Sequence, residues 1–211
     1  MAELLTLDAP AADLSFQAVA ASKWMDGIAF LEAFGFSHIE SEISMSCSSL
    51  RTSAESSLTG VSIERVETPA LYADVVARIH NAAFATDVAF RAYQASEMAD
   101  LLAEDEQELW IIRDVSRVVG YCRFESEPKQ IWLEEIAIDP SDQGKGLGTA
   151  LVYHALQTIG IDRGRSAGLS VSSVNRAALA MYQQLGFVAG NEKRRYSAQQ
   201  LNLNTRISRK F

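Results

Sequence analysis

The chain has 211 residues, 48% of them hydrophobic and 22% charged, with a formal net charge of −8. That is an ordinary globular composition, with length for one domain and some to spare. No apolar run approaches the ~18 residues of a membrane helix, and the N-terminal stretch carries Glu3 and Asp8 with no base before Lys23, so neither a membrane span nor a signal or transit peptide is expected. A cytoplasmic location follows as the expectation. Two cysteines, Cys47 and Cys122, make no disulfide framework and read as buried thiols, and His38, His80 and His154 are scattered, so no metal site is expected. The charge is uneven. Six basic residues and no acid lie from Lys193 onward, which leaves 13 basic and 27 acidic residues in the rest, net −14. An acidic body argues against a nucleic-acid partner and suits cationic substrates.

In chain order, residues 16–20 and 36–45 read as strands around a helix from about Trp24 to Phe34, closed by Gly35. Residues 41–60 are Ser-rich and read as a strand end and linker. Residues 61–67 alternate as a strand. Pro69 opens an amphipathic helix to about Asn81, residues 82–88 form a loop, and a second helix spans about 89–103. Residues 108–113 and 117–124 form a hairpin around Asp114-Val115-Ser116, and 130–138 form the next strand. A long helix runs over about 146–161. Strand 168–171, helix 175–185 and strands 187–190 and 194–198 follow, with a basic tail at 201–211. The order from residue 61 is β-α-α-β-β-β-α-β-α-β-β, an α/β fold with a mixed sheet.

Gln143-Gly144-Lys145-Gly146-Leu147-Gly148 joins the 130–138 strand to the long helix. A strand, a glycine-rich turn and a helix N-terminus leave backbone N–H groups unpaired, and glycine lets an anion approach them closely. The spacing fits neither a P-loop, since Lys145 lies between the glycines, nor Gly-x-Gly-x-x-Gly, since Gly148 is one place early. It fits Gln/Arg-x-x-Gly-x-Gly/Ala through Gln143, Gly146 and Gly148. Further on, Asn175 opens a helix, Tyr182 follows seven residues later, and Leu185-Gly186-Phe187 closes it.

These two segments, in this order and at this distance, resemble the GCN5-related N-acetyltransferases (the GNAT family), over about residues 61–198. The resemblance implies the acetyltransferase fold and transfer of the acetyl group of acetyl-CoA to a primary amine, of a small molecule or a protein. It implies that Gln143, Gly144, Lys145, Gly146, Leu147, Gly148 and Thr149 hold the CoA pyrophosphate. Main-chain groups of Ile136, Ala137 and Ile138 would pair with the pantetheine arm, with Asn175 near it, and Tyr182 would protonate the departing thiolate. Strand alternation puts Glu134 on the face of Trp132, Ile136 and Ile138, which makes it the candidate base; a bulge would transfer the choice to Glu135. Several relatives use a Glu on the following strand, where this chain has Ser170. Phe84, Asp87, Phe90 and Tyr93 are candidate acceptor-site residues. No metal cofactor is implied. The other readings are a non-catalytic acyl-CoA sensor and an interaction module.

Residues 29–36 align without gaps on residues 180–187, with Leu31 at the Tyr182 position and Trp24 at that of Asn175. This predicts a degenerate, chemically inactive half-unit in 1–58 before an acetyltransferase domain in 59–200. Its exposed edge is expected either to extend that domain's fold or to build a homodimer.

Overall fold

The computed structural model describes residues 3–6, 16–51, 59–87, 90–104, 107–161 and 164–198. The basic tail at 201–211 and the linker residues 52–58 lie outside them. The described residues group into two compact units, one within Ser46–Leu169 and Ala180–Val188, the other within Met1–Met45, Ser170–Leu179 and Ala189–Phe211.

The larger unit holds β4 (Val61–Arg65), α2 (Ala73–Ala83), α3 (Ala95–Leu102), β5 (Gln107–Asp114), β6 (Arg117–Ser126), β7 (Gln130–Ile138), α4 (Leu147–Ile159), the start of β8 (Ser166–Ser172) and the end of α5 (Arg176–Leu185). Its strands lie in the order β8-β7-β6-β5-β4, antiparallel except for the parallel pair β7·β8. This is a mixed α/β sheet, as expected. Val76, Ile79 and His80 recur at helical spacing on the buried side of α2. Val76 and Ile79 meet Leu109 and Ile111 of β5, Tyr121 of β6 and Ala137 of β7. The alternate β5 residue, Trp110, faces α4, where its ring stands 6.0 Å from that of His154. The two helical layers thus cover opposite faces. Cys47 and Cys122 are both buried.

Two element boundaries differ from the sequence expectation. Helix α3 begins at Ala95, not near residue 89. The Gln94 N–H donates to Glu97 Oε2 at 2.8 Å and starts the helix there. Side chains of α2 satisfy the backbone of residues 91 and 93 instead. The two short strands expected after α5 are one strand, β9 (Val188–Ala198).

The smaller unit holds β1 (Glu3–Thr6), β2 (Phe16–Ala21), α1 (Met25–Ala33), most of β3 (Ser37–Cys47), the end of β8, the start of α5 and most of β9. Its strand order is β1-β2-β9-β3-β8, and β2 pairs antiparallel with β9. The helix and two strands expected around Gly35 are therefore present. At the interval that carries Gly35 onto Gly186, β3 superposes in sequence on β9, and α1 begins where α5 begins. Backbone hydrogen bonds repeat at that same interval. Trp24 N–H donates to Ala21 as Asn175 N–H donates to Ser172, and Phe36 N–H donates to Leu31 as Phe187 N–H donates to Tyr182. Ser22 N–H donates to the Glu192 carbonyl, and its counterpart Ser173 N–H donates to the Ser41 carbonyl, the counterpart of Glu192. The second pair is the first with the two halves exchanged, the signature of a local two-fold relation.

Candidate active site

The glycine loop begins where β7 ends. Pro140–Asp142 forms a 3-10 turn, and the Gln143 side chain donates back to the Ile138 carbonyl at 3.0 Å. Gly144 and Gly146 have φ of +76° and +79°, a left-handed backbone that disfavours any side chain there. The first bond inside α4 runs from Ala150 N–H to the Gly146 carbonyl. The N–H groups of Leu147, Gly148 and Thr149 therefore precede the helical ladder and point out of the helix start, with the positive end of the helix dipole behind them.

An ion-pair chain braces the loop. Arg78 holds Asp139 at 2.8 Å, Arg117 holds Asp142 at 2.6 Å, and Lys145 holds Asp142 at 2.7 Å. The Arg78 hydrogen bond, with help from Ser141, holds the Asp139 carboxyl down at about 2, and Lys145 and Arg117 lower Asp142 as well. Lys145 is thus tied to a buried carboxylate of its own loop.

Beside the loop, a Cβ placed at Gly148 would lie 3.5 Å from Met181 Sδ and 3.6 Å from both Ile136 and Ile138. Ile136 is paired with Cys122, which shares a face with Trp110, so these side chains lie on the α4 side of the sheet. Tyr182 follows Met181 in α5. It is buried, packs on Phe187 with ring centroids 5.7 Å apart, and is shifted upward by burial and then by the Cys122 thiol. Its phenol stays neutral, which is the form that can give up a proton. Asn175 caps α5, its Oδ1 accepting from Ala178 N–H at 3.0 Å.

The register of β7 corrects the alternation argument. Arg123 pairs with Glu135 and Phe124 with Leu133, so Glu134 is an extra residue, a β-bulge. Beyond it the faces exchange. Trp132, across from Glu125, shares a face with Glu135, across from Arg123, and with Ala137; Ile136 and Ile138 lie on the other. Glu134 lines a cavity of about 250 Å³ with Glu125, Glu127, Gln130 and Trp132, so it opens toward the same side as Glu135.

The two adjacent carboxylates differ. Burial, together with Glu125 and Glu135, pushes Glu134 above the ordinary carboxylate range, against the pull of Arg123. Burial also works against ionisation of Glu135, but hydrogen bonds from His80 and Tyr121 outweigh it and hold its pKa below that range. Glu135 Oε1 accepts from the Tyr121 hydroxyl and lies 3.1 Å from His80 Nδ1. Of the expected acceptor-side residues, Phe84, Phe90 and Tyr93 turn their rings onto His80, and Asp87 is exposed. Sequence reasoning left His80 among scattered histidines, because no spacing signal joins it to a residue 55 positions away.

Residues 74–187 match the profile of the Acetyltransferase (GNAT) family. Mycothiol acetyltransferase from Mycobacteroides abscessus is 31% identical over 121 residues, which cover 52% of this chain and 40% of that protein. [Ribosomal protein bS18]-alanine N-acetyltransferase from Escherichia coli is 38% identical over 64 residues, or 30% of this chain and 43% of that one. The matched stretches thus span less than half the length of these curated relatives. The crystal structure of a GCN5-related N-acetyltransferase from Sphaerobacter thermophilus superposes with a TM-score of 0.72 at 16% identity, covering 90% of this chain and 62% of that chain. The fold is therefore that of the acetyltransferases, and the match over more than half its residues makes this chain a member of the GNAT family.

Proposed function

We propose that the chain moves the acetyl group of acetyl-CoA to a primary amine by direct attack. The neutral amine nitrogen attacks the thioester carbonyl carbon, and the carbon–sulfur bond breaks. The thiolate takes the Tyr182 phenolic proton, and the proton lost by nitrogen goes to Glu134, directly or through water. The observation that carries this reading is the grouping of the glycine loop, Ile136, Ile138 and Met181 around Gly148, with the neutral Tyr182 phenol on the next residue. Residues 143–149 would receive the pyrophosphate on open N–H groups. Main-chain groups of 136–138 would pair with pantetheine.

By strand alternation alone the bulge would transfer the choice of base to Glu135, but the surroundings of the two carboxylates favour Glu134. Glu134 opens to a cavity and its affinity for a proton is raised, whereas Glu135 is already engaged by His80 and Tyr121. Because Glu125, Glu127 and Glu134 share that cavity with Trp132, the acceptor is a cationic amine. The relative named for a ribosomal-protein alanine supports an amine acceptor. Residues 59–200 would then be the catalytic unit. Residues 1–58 would be a second, degenerate half-unit, a reading supported by the repeated hydrogen bonds around Gly35 and Gly186.

Free-thiol release from acetyl-CoA across a panel of polyamines, aminoglycosides, amino acids and peptide N-termini tests this reading. Amine-dependent release is expected, strongest with acceptors of more than one positive charge. Absence of release with every amine, despite acetyl-CoA binding, would favour a sensor. Glu134→Gln should slow the reaction by ~10²-fold near neutrality and by less at alkaline pH, where the amine is already neutral. An equal loss at every pH would remove Glu134 as base.

A further inference from the structure

His80 lies near the end of α2 and is buried. Its Nδ1 is 3.1 Å from Glu135 Oε1 and its Nε2 is 3.1 Å from the Arg91 carbonyl oxygen. A carbonyl oxygen only accepts, and so does a carboxylate whose same oxygen already takes the Tyr121 hydroxyl. A donor on each ring nitrogen, the imidazolium form, satisfies both acceptors at once, and the Tyr121 hydroxyl, 3.4 Å from Nδ1, donates to Glu135 instead. The ring is enclosed by Phe84 at 5.0 Å, Phe90 at 6.1 Å and Tyr93 at 5.0 Å. The neighbouring Asn81 takes hold of the same segment. Its Nδ2 donates to the Tyr93 carbonyl and its Oδ1 accepts from Tyr93 N–H, both at 2.9 Å. Two consecutive side chains of α2 therefore hold the backbone of residues 91 and 93, and one of them also reaches the strand that carries Glu134.

We propose that His80 is a positioning residue whose imidazolium latches the segment 91–93 to Glu135 on β7, so that one protonation event sets the acceptor side of the site. The inference rests on the reading of Phe84, Asp87, Phe90 and Tyr93 as bordering the acceptor. The charged and titratable groups facing the ring are Glu135 of β7, Tyr121 and Arg123 of β6, and Tyr93 of the loop. The Arg91 guanidinium is turned away, over the Tyr93 ring at 4.9 Å and onto Glu97 at 2.9 Å. Burial disfavours the charged ring, but Glu135 and the Arg91 carbonyl outweigh it, so His80 holds its proton above the ordinary histidine range. The latch is then complete below the unfolded-state pKa and is lost as pH rises through the folded-state value, since a neutral ring keeps only one donor.

The test is a pH titration of the full chain by NMR, following the His80 ring nitrogens and the hydrogen-exchange protection factor of the Tyr93 amide. It is paired with KM for the amine that releases thiol fastest in the panel above. At about pH 6 both ring nitrogens should carry protons, with a midpoint above ~6.5. Tyr93 protection should fall ~10-fold or more through that midpoint. Amine KM should rise over the same range while acetyl-CoA affinity stays level. Glu135→Gln should lower the midpoint, and His80→Gln should give low protection with no pH dependence. A neutral single-tautomer ring at about pH 6, or equal Tyr93 protection on both sides of the midpoint, would overturn the latch. If no amine turns over, the acetyl-transfer reading fails, and the two NMR readouts still decide the latch by themselves.

Discussion

The β2-α1-β3 and β8-α5-β9 segments share a pattern of backbone hydrogen bonds and differ in the side chains at corresponding positions. Both helices stop at a left-handed glycine, Gly35 at φ +89° and Gly186 at φ +103°. In both, the N–H of the following Phe reaches back to the fifth residue before it, Leu31 in one and Tyr182 in the other. The starts differ. Asn175 caps α5 with its side chain, whereas Trp24 offers α1 no side-chain cap and lays its ring where a Cβ on Gly27 would fall. The backbone pattern is thus shared, while of the two helix starts only Asn175 supplies a side-chain cap. In the strand order β2-β9-β3-β8 the two strands of the N-terminal segment flank β9.

Deleting residues 1–58 should have the largest effect, because it strips both neighbours from β9 and leaves an unpaired strand. We expect loss of cooperative melting or a shift to aggregates in light scattering. An unchanged melting temperature and mass would show the segment to be dispensable. The glycine stops come next. Gly186→Ala should destabilise by more than ~2 kcal/mol, since the backbone is left-handed and the new Cβ would meet the Ser49 carbonyl oxygen at 2.9 Å. Gly35→Ala should cost about 1–2 kcal/mol through the backbone term. Denaturant titration of the pair would break the comparison if the order were reversed. The smallest effect is at the helix starts. Asn175→Ala should cost about 1 kcal/mol as a lost cap. Trp24→Ala should act only through its packing, with no cap to lose.

Much of this was legible in the sequence, because the informative residues are those whose physics is local. Gly144 and Gly146 mark a left-handed turn, Gly35 and Gly186 mark helix stops, and Asn175 marks a helix start, each from its own conformational preference. What failed was decided by partners distant in the chain. The bulge at Glu134 comes from how β7 registers on β6 and reverses the face of every later β7 residue. The late start of α3 follows from His80 and Asn81 occupying backbone groups of residues 91 and 93. The single strand β9 runs on between β2 and β3, a neighbourhood that short-range alternation cannot foresee. The coupling of His80 to Glu135 likewise spans two elements with no shared pattern.

The central claim is that Tyr182 serves as the proton donor to the departing thiolate, the function that Leu31 cannot perform at the equivalent place. Steady-state thiol release by Tyr182→Phe, at saturating acetyl-CoA and the best amine of the panel, tests it most directly, with calorimetric acetyl-CoA affinity measured on the same protein. The account predicts kcat lower by ~10²-fold or more with acetyl-CoA affinity unchanged. A Tyr182→Phe enzyme with kcat within a few-fold of the parent would contradict it.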